Sequence, residues 1–378
     1  MILFLHNRYR TAGGEERAVE DLLWLVRDQL GEDAELLTHD SSALSRRRAA
    51  VTLLRGGLRS DDVAAAVRHT GARLVAAHNV HPSFGWRGLA AARDAGAAVA
   101  LHLHNYRLVC AVGTCFSSNG EDCTRCHGRN TAPGVRLNCR GSRSEAAVYG
   151  AALAAWQRRL AAQVDAFVVP SAFAADRLAA LGAPSGHPHV VPHVIRGVVE
   201  RSRAADGGYA LIASRLAVEK GVDVALDACA RAGLPVVVAG DGPLAAQLRD
   251  AHPQARFTGR VDAHELVALR AAAALAIVPS RAAETFGLAA AEAMAAGVPV
   301  AATRIGALPE LVEDAGLAPP GDAAALAEVA AGRFGDAEAG GRGMARVRER
   351  CSPSVVAAAL TDAYEQAAHR RHGERTAA

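Results

Sequence analysis

The chain alternates two kinds of segment, and this alternation constrains its fold more than any other feature. Short apolar runs stand at Ile2–Leu5, Leu74–Ala77, Ala97–Leu101, Ala166–Val169, Val190–Val191, Ala210–Ile212, Pro235–Ala239, Ala274–Val278 and Val298–Ala302. Between several of them lie stretches of helical period, such as Glu16–Leu30 and Val222–Ala232. Strands that are apolar along their whole length need cover on both faces. The pattern therefore predicts an α/β fold with parallel sheets sandwiched by helices. The rhythm pauses over residues 105–145, rich in Cys, Gly, Asn and Arg, and again over the polar stretch 194–208. The second pause reads as a linker. The expected organisation is a first domain at 1–195 with a Cys-rich loop at 105–145, a linker at 196–207, a second domain at 208–352, and a helix with a polar, disordered end at 353–378.

Composition narrows the function classes. A chain of 378 residues exceeds one ordinary core, and 51% hydrophobic with 21% charged residues makes it globular. A net charge of +3 is too mild to argue for a nucleic-acid partner, and none is expected. No apolar run is long enough to span a membrane, and the start Met1–His6 reads as a strand rather than a targeting segment, so a cytoplasmic location is expected. Of 42 Lys and Arg residues, a single one, Lys220, is lysine. Genome bias explains the scarcity. The one lysine kept is expected to do what a planar guanidinium cannot, acting as a compact point charge.

The densest local signal runs from Pro279 through Glu284, Phe286, Gly287 and Leu288 to Glu292. It reads as a strand end, a loop carrying Glu284, and a helix starting near Phe286 with the Gly287 amide in its first turn. Such a turn suits a diphosphate, and Glu292, about two turns in, could hold sugar hydroxyls. A second signal, Ser214-Arg215 through Lys220-Gly221, follows a strand and places two cations where open α/β sheets bind ligands. Gly240-Asp241-Gly242-Pro243 is a strand-to-helix turn. Ala12-Gly13-Gly14 after the first strand could admit a phosphate or sugar, without the spacing of a nicotinamide site. His78-Asn79 and His102-Leu103-His104-Asn105 end two further strands and are expected to face a ligand crevice.

Four cysteines are spaced Cys110-x12-Cys123-x2-Cys126-x12-Cys139. One C-x2-C knuckle flanked symmetrically fits a structural zinc site. Free thiols, or Cys115 or His127 replacing one ligand, remain open. No D-x-D follows a strand, so the usual metal–diphosphate device is absent and no cofactor is expected for catalysis. Arg46-Arg47-Arg48, Arg55 and Arg59 flank Val51–Leu54, a basic-apolar patch that could meet anionic lipid at the inner membrane face, although a solvated arginine-rich helix explains it equally.

The ordered set Ser214-Arg215, Lys220-Gly221, Gly240-Asp241-Gly242-Pro243, Gly259-Arg260-Val261, Pro279-Ser280, Glu284-x7-Glu292 and Gly306-Ala307-Leu308-Pro309-Glu310 resembles the retaining glycosyltransferase family 4 of the GT-B fold. Gly13-Gly14, His78-Asn79, His104-Asn105-Tyr106-Arg107, Cys110, Cys123-x2-Cys126 and Pro170-Ser171 extend the resemblance to residues 1–350. It implies two Rossmann-like domains facing a central cleft, with the last helix crossing back to the first domain. A nucleotide-diphosphate sugar would bind the second domain, and a hydroxyl acceptor (glycan, lipid-linked sugar or natural product) the first.

The resemblance also implies residue roles. Arg215 and Lys220 would neutralise the leaving diphosphate. Glu284 and the amides of Phe286, Gly287 and Leu288 would hold donor sugar and phosphate, and Glu292 the ribose. The Gly13-Gly14 loop would close over the donor, and His104 would stand near the sugar. The implied chemistry is front-face transfer of a hexose-type sugar with retention. His102 and the turn Val191-Pro192-His193-Val194 depart from the family pattern. A sugar-nucleotide epimerase and a non-catalytic nucleotide-sugar binder are the alternatives on the same fold.

Overall fold

The computed structural model describes residues 1–9 and 13–377, with side chains to residue 373. It divides into two compact units. One comprises residues 1–119, 123–194 and 353–378, the other residues 120–122 and 195–352.

The first unit holds β1 (Ile2–Arg8), β2 (Ala34–Asp40), β3 (Leu74–Ala77), β4 (Ala98–His102), β5 (Ala166–Val169) and β6 (His189–Val190), all parallel, in the order β2-β1-β3-β4-β5-β6. The second unit holds β7 (Tyr209–Ala213), β8 (Val236–Ala239), β9 (Arg256–Gly259), β10 (Ala273–Val278), β11 (Val300–Thr303) and β12 (Leu317–Ala318), also parallel, in the order β12-β11-β10-β7-β8-β9. Each sheet grows outward from its first strand, then reverses and grows from that strand's other side. The reversal falls between β1 and β3 in one sheet and between β7 and β10 in the other. At such a switch point the loops diverge and leave the strand ends open.

β3, β4, β8 and β10 are buried along their whole length, as their apolar sequences require. The helix Val222–Ala232 keeps the expected limits. The apolar-run pattern does not mark β2, β9 or β12, and all three are sheet edges. An edge strand is covered less completely, so β2 mixes Leu with Glu, Thr, His and Asp, and β12 has only two residues.

The final helix, Pro353–Ala377, is part of the first unit. Val356, Leu360, Ala363, Tyr364 and Ala367 recur on one face and are buried with Ile2, Phe4, Ala98, Ala100, Ala166 and Val168. The disordered polar end expected for this segment is instead helical to Ala377, and Ala378 lies outside the described residues. Arg371 donates to the Arg93 carbonyl at 2.6 Å, which ties this part of the helix to the unit. Among the described residues no helix is long and apolar enough to cross a membrane.

Leu360 is wholly buried in this seam. Leu360→Ala should cost the first unit about 2–5 kcal/mol by leaving a cavity. Hydrogen exchange read separately for the two units checks this: amides of β1, β4 and β5 should lose protection while those of the second unit do not.

Candidate donor and acceptor sites

In the second unit, both loops bordering the switch point carry charge, and they meet. The loop after β7 ends in a short 3-10 turn, Val218–Lys220, and Lys220 Nζ donates to Glu284 Oε1 at 2.7 Å from the loop after β10. Ser280 Oγ donates to the same oxygen at 2.5 Å. Backbone bonds lock the loops together: Arg281 and Ala282 N–H donate to the Glu219 carbonyl at 2.9 and 3.1 Å. Gly221 permits this approach. Its φ is +62°, and a Cβ there would stand 2.1 Å from the Pro279 carbonyl oxygen. Arg215, exposed, pairs with Glu219. Burial alone would raise the Glu284 carboxyl, but Lys220, Ser280 and Arg215 outweigh it and hold it below the ordinary carboxylate range. Two cations and two carboxylates thus stand at the open strand ends. Lys220 has three donors and gives one to Glu284, so it can take an anion without leaving its partner.

Arg215, Lys220 and Glu284 are therefore brought together as expected, and Gly242 lies close by. Leu216 N–H donates to the Asp241 carbonyl at 2.9 Å, joining the loop after β8 to the loop after β7. Two expectations need correction. The helix begins at Leu288, not near Phe286, because Gly287 is its N-cap with φ +99°, outside helical space. Leu288 then supplies a first-turn amide with no partner inside the helix, while the Phe286 side chain is core. Glu292 lies only about one turn into the helix Leu288–Ala295 and is ion-paired with Arg270 from the helix Ala263–Ala271. Sugar hydroxyls would meet a carboxylate that is already oriented. Ser280 and Arg270 have no expected role from sequence; Ser280 stands inside a quoted motif, whereas nothing near Arg270 signals its partner.

In the first unit the switch point is equally occupied. Asn7 N–H donates to the Asn79 carbonyl at 2.8 Å, and Asn79 Nδ2 donates to the Asn7 carbonyl at 2.6 Å, joining the ends of β1 and β3. His78 Nδ1 and His104 Nε2 share a hydrogen bond of 2.8 Å. His102 stacks on His78 at 4.4 Å, His104 stacks on His193 at 5.4 Å, and His102 Nε2 bonds to Tyr364 Oη at 3.0 Å. Burial, then the neighbouring imidazoles, keep His78 and His102 well below the ordinary histidine range. Burial likewise pushes His104 and His193 down to about 3. The cluster is neutral at physiological pH and offers uncharged hydrogen-bonding nitrogens rather than cations. His193, a departure from the family pattern, is thus a member of the cluster. Tyr364, from the last helix, has no sequence signal because its partner is 262 positions away.

Gly13 and Gly14 stand at the start of a helix. Gly14 is the first residue of the helix Gly14–Trp24, and Gly13 N–H donates to Glu16 Oε2 at 2.7 Å. Tyr9 N–H donates to Glu16 Oε1 at 3.1 Å. Glu15 Oε2 accepts from Tyr9 Oη at 2.7 Å and from Asn105 Nδ2 at 3.2 Å. Carboxylates thus hold the Gly13 and Tyr9 donors. Ala12 lies outside the described residues.

Residues 207–332 match the family model described as Glycosyl transferases group 1. The chain carries a group 1 glycosyltransferase domain. That domain contains Arg215, Lys220, Gly242, Glu284, Gly287 and Glu292, and its match bears out the resemblance to family 4. The chain is 42% identical over 106 residues to a GDP-mannose-dependent alpha-(1-6)-phosphatidylinositol dimannoside mannosyltransferase of Mycobacterium tuberculosis, a match covering 26% of this chain and 28% of that protein. It is 34% identical over 167 residues to a GDP-mannose-dependent alpha-mannosyltransferase of Mycolicibacterium smegmatis, covering 42% and 44%. The matches span less than half the length of these curated relatives. Sucrose-phosphate synthase from Thermosynechococcus elongatus, at 19% identity, aligns over 97% of this chain and 98% of its own with a TM-score of 0.70. Both Rossmann-like units thus have the GT-B fold.

The histidine cluster sets a pH dependence for the first unit. Unfolded histidines take up protons near pH 6.5, whereas His104 and His193 in the fold resist until about 3. Stability should therefore fall as pH drops from 7 towards 5, because the unfolded chain binds more protons. Glu15, raised by burial, acts with the opposite sign, but it is one group against four. Urea unfolding of the first unit at pH 7.5, 6 and 5 checks this; a midpoint that does not fall would contradict it.

Proposed function

We propose that the chain is a retaining glycosyltransferase. It would move a hexose from a nucleotide-diphosphate sugar to an acceptor hydroxyl, with GDP-mannose as donor. The observation that carries this reading is the Lys220–Glu284 pair at the open strand ends of the group 1 domain. The two mannosyltransferase relatives support the choice of donor. When the sugar–phosphate bond breaks, negative charge grows on the leaving diphosphate. Lys220 and Arg215 stand ready to stabilise it without a metal, and the first-turn amide of Leu288 adds a partial positive charge. Glu284, kept ionised and fixed by two donors, would orient sugar hydroxyls. Retention follows if leaving oxygen and incoming hydroxyl share one face, a path that depends on positioning and charge stabilisation.

The acceptor is proposed to be lipid-linked. Val51, Leu54 and Leu58 are exposed at 44%, 44% and 49%, beside exposed Arg46, Arg47, Arg48, Arg55 and Arg59. Arg46 and Arg59 have acidic neighbours, Glu145 at 3.7 Å and Asp62 at 3.4 Å, which leaves the patch basic overall. Binding to anionic vesicles at low salt, lost on Val51→Glu with Leu54→Glu, would support peripheral membrane contact. Equal binding by the variant would count against it.

The purified chain with a panel of nucleotide sugars should release nucleoside diphosphate from GDP-mannose, slowly without acceptor. Lys220→Arg should lower that rate roughly 10–1,000-fold with unfolding midpoint unchanged. Saturable binding without turnover would indicate a binder, and a new sugar isomer would indicate an epimerase; either overturns the reading.

A further inference from the structure

Five of the seven cysteines stand in the stretch between β4 and the helix Arg143–Ala161. Its described regular elements are the short helix Ala132–Arg136 and single-residue bridges, one of them between His127 and Asn130. A segment this long with so little ladder or helix needs another source of order. Cys110, Cys115, Cys123, Cys126 and Cys139 all line one small cavity with Phe116, and none of them is in a disulfide. Cys110, Cys115 and Cys126 are buried.

We propose that this cavity is a structural zinc site, with Cys110, Cys123, Cys126 and Cys139 as its four thiolate ligands. The donor chemistry fits: four soft sulfurs with one C-x2-C knuckle suit a closed tetrahedral Zn(II) centre. Cys110 Sγ accepts the Gly113 N–H at 3.4 Å, the kind of donor that commonly stands behind a metal-bound thiolate. The symmetric spacing around the C-x2-C knuckle selects the four ligands and leaves Cys115 as a lining residue. The cavity is kept open by small neighbours: a Cβ on Gly134 would fall 2.8 Å from the Ala111 Cβ and 3.6 Å from the Cys126 sulfur.

The ring of sulfurs is wide. Among the described residues, no three of these sulfurs lie within 4.8 Å of one another, and the group that does is His78, His102 and His104. Zn–S bonds of about 2.3 Å would require sulfurs about 3.8 Å apart. The metal must therefore draw the loop inward, and its binding energy becomes order in this segment.

The test uses the whole chain, prepared without chelator, with metal content measured by mass spectrometry. About one zinc per chain is expected. Cys123→Ser with Cys126→Ser should reduce it to near zero, while Cys115→Ser should retain it. Because the double variant can fail to fold, the unaltered chain is also loaded with Co(II) alone. Tetrahedral thiolate coordination then gives intense visible bands with sulfur-to-metal charge transfer in the near ultraviolet. Zinc removal should expose residues 105–142 to protease and Cys110 to alkylation. Metal-free protein with freely alkylated cysteines overturns the proposal. So does a disulfide among the four, zinc retained by the double variant, or a cobalt spectrum without thiolate charge transfer, which would place the metal on the histidine cluster.

Discussion

The structure depends on one constraint of parallel sheets: the side on which new strands are added reverses once, and the loops on either side of the reversal leave a gap over the strand ends. In the group 1 domain that gap lies between β7 and β10, and the segments on its two sides are tied by the ion pairs Lys220–Glu284 and Arg281–Asp223. Lys220 and Glu284 are 64 positions apart in sequence and 2.7 Å apart in space. A half-exposed pair of this kind adds little to stability. Its consequence is orientation. The carboxylate is held by Lys220 and Ser280, and the ammonium keeps two donors for an incoming anion.

The first unit uses the same topology with different chemistry. Its switch point joins Asn7 to Asn79 and leads to a stack of neutral imidazoles. Glu15 and Arg107 line the same cavity as these imidazoles, so charge is present there as well, but as a carboxylate and a guanidinium beside neutral rings.

What could be read from sequence follows burial. Central strands are apolar throughout and are legible; β2, β9 and β12 are edges, and their mixed or brief sequences hide them. Lys220 stands out because arginine fills the other basic positions, and Glu284 because of its frame. Partners formed by tertiary contact carry no local trace. Arg270 on Glu292 and Tyr364 on His102 emerge only when the chain folds. The helix starts two residues later than the sequence suggests, because a glycine can open a helix from within it or from just outside, and φ decides which. The polar end of the last helix lacks an apolar signal although Arg371 anchors it.

Lys220 is proposed to meet the second phosphate of the donor. Titration calorimetry of GDP and of GMP against the chain and against Lys220→Met tests it most directly. GDP should bind more tightly than GMP to the unaltered chain, and the substitution should remove most of the difference while GMP affinity stays the same. Equal affinity for the two nucleotides, or a preference for GDP that survives the loss of Lys220, would contradict it.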